Sequence, residues 1–317
     1  MAIATPLGLP PLPASADNPP TAETIALGEK LFFTPLLSVD GTVACASCHK
    51  PARGFSDGQA VSTGVGGKKG TRNAPTVMNA AYSALQFWDG RAANLEEQAS
   101  GPMLNPAEMA HTLSGVERSC SGDAALRALF EAAFGPAPAG ESPVTIARIT
   151  RALAAYERTV LRGNSPFDRY FYAGQKDALS EPARRGLAVF RDSAKGNCAK
   201  CHTIEARYAL FSGQQFHNLG AGLSPEGELT DLGRYQVTHR EGDQGKFRTP
   251  SLRNIAETAP CMHDGSLKTL REVVDFYVGG GSSNPYRDPE IRPLNLTGQE
   301  RSDLVPFLES LTGEPAK

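Results

Sequence analysis

Cys45-Ala46-Ser47-Cys48-His49 returns later in the chain as Cys198-Ala199-Lys200-Cys201-His202. A Cys-x-x-Cys-His run is the attachment signature of a c-type haem. Its two thiols become thioethers to the porphyrin, and the adjacent His supplies the proximal iron ligand. The competing readings of a Cys-x-x-Cys pair are a redox dithiol and half of a zinc site. A zinc ribbon needs two more paired ligands near each motif, and neither motif has them. Two covalently bound haem c groups are therefore expected, with His49 and His202 as proximal ligands. Four of the six cysteines are consumed in this way. Cys120 and Cys261 remain, as a disulfide or as two buried thiols.

The 317 residues suit one large domain or two smaller ones. A hydrophobic content of 40% and a net charge of −2 describe an ordinary globule. No polybasic run invites nucleic acid, and no apolar stretch approaches the roughly 18 residues of a membrane span. Residues 1–20 are rich in Pro and Ala and lack the charged and apolar regions of a signal peptide, so they read as an N-terminal arm and a mature start. Haem c is attached outside the cytoplasm, which implies the periplasm.

Outward from each motif the same features recur. Thr21 can cap a helix through Ile25, Leu27, Leu31 and Phe32, and Ser180 one through Ala183, Leu187 and Phe190. Both helices carry Gly four residues before the closing Phe (Gly28/Phe32 and Gly186/Phe190), and both motifs are followed by a Phe-Ser turn (Phe55-Ser56 and Phe211-Ser212). This weak internal repeat predicts two related haem domains, 21–164 and 165–317, joined near Arg162-Gly163-Asn164-Ser165-Pro166. Ser142-Pro143 is expected to open a helix along Ile146, Ile149, Leu153, Tyr156 and Val160. Thr269-x-x-Glu272 and Thr297-x-x-Glu300 are capping boxes, and Pro306 should kink the last helix. Residues 54–75 hold six glycines and a proline and cannot form a regular element. The fold class is mainly α: two cytochrome c-like haem domains with long loops.

Further motifs carry a resemblance. Phe87-Trp88-Asp89-Gly90-Arg91, Glu97-Gln98-Ala99-Ser100-Gly101-Pro102 and Glu108-Met109 lie between the haem motifs. Phe247-Arg248-Thr249-Pro250-Ser251-Leu252-Arg253-Asn254, Thr258-Ala259-Pro260 and His263-Asp264-Gly265 follow the second. Over about residues 21–313 the chain resembles the bacterial di-haem cytochrome c peroxidase family, which includes the MauG-like enzymes.

The resemblance implies that Gln98, Pro102 and Glu108 line the distal side of the first haem. A buried carboxyl there can move the proton of hydrogen peroxide from one oxygen to the other, Gln98 can orient peroxide, and Pro102 can crowd the sixth position. Taken alone, Glu108 would read as a surface carboxylate. Trp88, the only tryptophan, would read as a core aromatic; its counterpart lies between the haems, where an indole can relay electrons. Asn73, Thr258 and Pro260 match the family's calcium site at the domain interface, the last two through backbone carbonyls.

Two departures from the family pattern bear on the subtype. Where peroxidases needing reductive activation carry a loop His, this chain has Val65, so the first haem is expected to be five-coordinate or weakly aquo. Where the second haem's Met ligand is usual, this chain has Tyr277, a hard anionic donor that favours oxidised iron. The alternative is Tyr277 as a core residue with Met262 as ligand. The expected activity is that of a MauG-like enzyme of the MauG or MbnH type. Hydrogen peroxide would generate a high-valent, bis-Fe(IV)-type state that oxidises an aromatic residue, notably Trp, of a partner protein. The alternative is a peroxidase drawing electrons from a small redox protein; a pure electron-transfer cytochrome would need both irons six-coordinate. No Trp precedes the second motif (Lys195-Gly196-Asn197), which favours the MbnH type. Cys261 replaces an aromatic and reads as a buried thiol.

Overall fold

The computed structural model describes residues 3–316. The N-terminal helices are α1 (Ala22–Phe33), α2 (Cys45–Cys48), α3 (Leu95–Leu104), α4 (Leu113–Gly122), α5 (Ala124–Phe134) and α6 (Ile146–Glu157). The C-terminal ones are α7 (Pro166–Phe171), α8 (Glu181–Arg191), α9 (Tyr235–Thr238), α10 (Leu270–Val278) and α11 (Gly298–Glu309). Strand is confined to two antiparallel pairs, β1 (Arg162–Gly163) with β4 (Glu314–Pro315) and β2 (Phe216–His217) with β3 (Phe247–Arg248). The protein is mainly α, as expected.

The repeat has a physical basis in two helix crossings. A Cβ on Gly28 of α1 would collide with the Ala152 carbonyl of α6, and one on Gly186 of α8 with the Asp303 carbonyl of α11. Only glycine lets the backbones approach this closely. Four residues on, the Phe closes the contact: Phe32 meets Tyr156 with ring centroids 5.2 Å apart, and Phe190 meets Phe307 at 4.9 Å. Each crossing nucleates its own apolar core, one around Leu27, Leu31 and Leu153, the other around Leu187, Leu304 and Leu308.

Thr21, Ser180, Thr269 and Thr297 cap their helices, the last two with the reciprocal Glu272 and Glu300 bonds. One start is displaced from expectation. Helix α6 begins at Ile146, because Thr145 accepts from the Arg148 N–H while Ser142 turns to Val144 locally. Val160 lies beyond its end, in a turn whose carbonyl accepts from Asn79. Pro306 is accommodated inside an uninterrupted α11.

The N-terminal arm runs across the junction of the two cores. The Gly8 carbonyl accepts from the Ala209 N–H and from Arg253 Nη2, whose guanidinium pairs with Asp168 at 2.9 Å in an almost fully buried ion pair. All six cysteines are free thiols, and Cys120 and Cys261 are buried.

Candidate active site

Each motif is followed by a turn that aims its histidine. Phe55 and Phe211 both adopt positive φ, 54° and 49°, which swings their carbonyls back toward the motif. The His49 Nδ1 lies 3.3 Å from the Phe55 oxygen, and the His202 Nδ1 lies 2.8 Å from the Phe211 oxygen. A carbonyl only accepts, so Nδ1 carries the proton in both rings and Nε2 is left with a free lone pair. Burial lowers both imidazoles' proton affinity, His202 to about 4, so both are neutral and ready to ligate a metal. The Phe-Ser repeat was visible in sequence; its purpose needed the backbone angle.

The motif thiols are unsuited to a redox dithiol. Burial pushes Cys45 and Cys198 up to about 12, the opposite of the lowered values reactive cysteines require. Cys45 is packed against the N-terminal core, and every other residue expected at the sites borders one continuous cavity of about 1350 Å³. Paired neutral thiols, tautomer-fixed imidazoles and a single roomy cavity reaching both motifs are what two covalent haems require. The residues fit the cofactor.

On the first-motif side, Gln98 and Pro102 are four residues apart on α3 and therefore share a face. The Pro102 carbonyl accepts from the Met109 N–H, tying the following turn to the helix. Inside that turn Asn105 accepts from the Ala107 N–H and donates to Glu108 Oε1 at 2.5 Å. Burial raises Glu108 above the ordinary carboxylate range, against the opposing pull of the Asn105 bond and of Arg91. Glu108 is thus an acid positioned by Asn105, a cavity-lining residue that sequence reasoning missed.

The glycine-rich loop runs behind this turn. The Val65 N–H donates to the Glu108 carbonyl at 2.8 Å, and a Cβ on Gly64 would collide with the carbonyls of Ala107 and Glu108. The Val65 side chain packs on the N-terminal core, and it is not among the described residues bordering the cavity.

On the second-motif side, Tyr277 on α10 reaches the cavity close to Cys198, Cys201 and Cys261. Burial pushes its phenol well above the usual range, followed by the neighbouring thiols, so a phenolate there needs a cation to compensate. Met262 borders the same cavity.

Between the motifs, Trp88 Nε1 donates to the Asn73 carbonyl at 2.9 Å, and the Trp88 carbonyl accepts from the Arg248 N–H at 2.8 Å. Asn73 therefore fixes the indole, and Arg248 of the other half fixes the Trp88 main chain. Asn73 Nδ2 donates to the Gln59 carbonyl, and its own N–H to His263. Arg72 spans the same junction, paired with Asp89 and, across 159 positions of sequence, with Asp231 at 2.6 Å.

The family model described as di-haem cytochrome c peroxidase matches residues 22–177. The methylamine utilization protein MauG of Methylorubrum extorquens is 38% identical over 307 residues, spanning 96% of this chain and 82% of that protein. The chain belongs to the di-haem cytochrome c peroxidase and MauG family. Cytochrome-c peroxidase IdrP1 of Denitromonas iodatirespirans is 39% identical over 343 residues, spanning 97% of this chain and 86% of that protein. Among solved structures, a MauG-like protein associated with microbial copper homeostasis has a TM-score of 0.83 at 35% identity, over 98% of this chain and 95% of that one. Family membership makes the protein a haem-dependent oxidoreductase acting with peroxide, and it implies two haems. Among the described residues no helix is long and apolar enough to cross a membrane.

Proposed function

We propose that this is a MauG-like enzyme that oxidises an aromatic residue, notably Trp, on a partner protein in the periplasm at the expense of hydrogen peroxide. Bound at the two motifs, the haems supply the two-electron chemistry of peroxide. The chain's residues supply the rest. Gln98 orients peroxide through its amide, and Pro102 limits the room on that side. The Glu108 carboxylate accepts a proton from one peroxide oxygen and returns it to the other, held in place by Asn105. Trp88, whose indole is fixed by its bond to the Asn73 carbonyl, would be the residue that passes electrons between the two haems.

The observation that carries this reading is Tyr277, a half-buried phenol bordering the cavity beside Cys198 and Cys201. As a ligand to the second haem it would stabilise oxidised iron, which would suit storage of oxidising equivalents and disfavour reductive activation. The likeness to the MauG-like protein associated with copper homeostasis supports the MbnH type. We also assign calcium to Asn73, Thr258 and Pro260. Asn73 Oδ1 and the carbonyls of Thr258 and Pro260 accept no hydrogen bond among the described residues, and all three residues border the cavity. Such neutral oxygens, completed by water, suit a hard cation.

Adding peroxide to the fully oxidised protein without reductant tests the function. A long-lived oxidised absorption spectrum is expected; an immediate return to the starting spectrum overturns the reading. The similarity to IdrP1 keeps a peroxidase reading alongside it. Steady oxidation of a reduced cupredoxin or small cytochrome by peroxide, with no long-lived species, would establish that alternative.

A further inference from the structure

Glu157 closes α6 and borders the cavity at its first-motif end. It is 6% exposed, and its carboxyl has no hydrogen-bond partner among the described residues. That is costly for a charge and calls for compensation from whatever fills the cavity.

The surroundings do not supply it. Arg158, next along the chain, is committed to Glu96 of α3 through two bonds of 2.8 and 3.1 Å. Glu96 adds a like charge, and the thiol facing Glu157 from α2 is Cys45. From α1, Glu29 acts on the neighbouring Tyr156 instead. Burial pushes Glu157 up to about 8, with Arg158 opposing and Glu96 reinforcing. Cys45 is one of the two anchors of the first haem, which places this acid beside that cofactor; Glu108 acts on the same thiol, but it is bonded to Asn105, whereas Glu157 has no such partner.

We propose that Glu157 is a redox-linked proton site for the haem held at Cys45 and Cys48. When one electron enters that haem, one proton from solvent bonds to a Glu157 carboxylate oxygen, and the net charge of the buried cavity is unchanged. On oxidation the O–H bond breaks and the proton returns to solvent. In a weakly screened interior a lone carboxylate favours the more positive iron, and a neutral carboxyl removes that preference. Glu157 acts on the haem through charge alone and is a positioning residue. The inference rests on haem at the first motif and is independent of the roles given to Glu108 and Tyr277.

The test is potentiometric titration of the intact di-haem protein, with dithionite and mediator dyes, at a series of pH values. In the wild type the first haem's reduction potential falls as pH rises through the Glu157 range, because the carboxylate stabilises the oxidised form. Glu157→Gln, which keeps the shape, flattens that fall. Redox-difference infrared spectra lose a protonated-carboxyl band in the same variant. Should Glu157→Gln load haem poorly, Arg158→Gln carries the test: removing the nearest cation moves the fall to higher pH. An identical pH dependence in wild type and Glu157→Gln, or an unmoved window in Arg158→Gln, overturns the proposal. Neither result bears on the peroxide-driven spectrum that tests the MauG-like reading.

Discussion

The Val65 N–H donates to the Glu108 carbonyl at 2.8 Å. One short bond therefore ties the loop in which Val65 replaces the family's ligating His to the turn that presents Glu108, our proposed distal acid. With the backbone pinned there and the Val65 side chain packed on the core, the loop acts as a brace for Glu108.

Gly64→Ala should loosen that brace. Its Cβ would collide with two carbonyls of the Glu108 turn, and overpacking of this kind costs about 1–3 kcal/mol. A lowered melting temperature and a slower reaction with peroxide are expected. Gly70→Ala is the control, since a Cβ there meets nothing nearer than 3.9 Å. Equal behaviour of the two variants would remove the brace.

Glu108→Gln should keep both haems and slow the reaction with peroxide by about 10²–10⁴-fold, the usual worth of a positioned acid–base. The carboxylate is the form that accepts the peroxide proton, and burial raises the pH at which it appears. The wild-type rate should therefore climb as pH rises through the raised Glu108 value. In stopped-flow measurements that limb should vanish in the variant.

Tyr277→Phe and Met262→Leu separate the two residues available to the second iron. Both border the cavity, but Tyr277 is the one whose electrostatic surroundings include the thiols of the second motif. The ligation spectrum of the second haem should change in Tyr277→Phe and persist in Met262→Leu. The reverse pattern would reassign the ligand.

Arg72→Gln should weaken the junction between the halves by about 1–3 kcal/mol at neutral pH, since it leaves the half-buried Asp231 without its cation while Asp89 keeps Arg91. Burial raises Asp231, but its bonds from Arg72 outweigh this and hold it below the usual carboxylate range. A depressed acid contributes stability above its unfolded value and loses it as pH falls through the folded value. Urea denaturation should thus show the gap between wild type and variant narrowing in acid.

Sequence alone determined the cofactor class, the helix starts at Thr21, Ser180, Thr269 and Thr297, and the repeated Gly-to-Phe spacing of the two helix crossings. Each rests on chemistry written in a few adjacent residues: Cys-x-x-Cys-His, a capping Thr or Ser, a Gly four positions before a Phe. Resemblance then marked Gln98, Glu108 and Tyr277, and all three border the cavity. The tertiary structure alone decided what surrounds them. The Phe55 and Phe211 carbonyls fix the histidines through a backbone angle that no side-chain pattern encodes. Arg72 and Asp231 meet across 159 positions, and Val65 finds Glu108 through main-chain atoms that carry no residue identity. Glu157 looks like any helix-ending carboxylate until folding buries it beside Cys45 and gives the neighbouring Arg158 to Glu96. Burial and long-range pairing are properties of the packed chain, and they set the charge of the groups around the first haem.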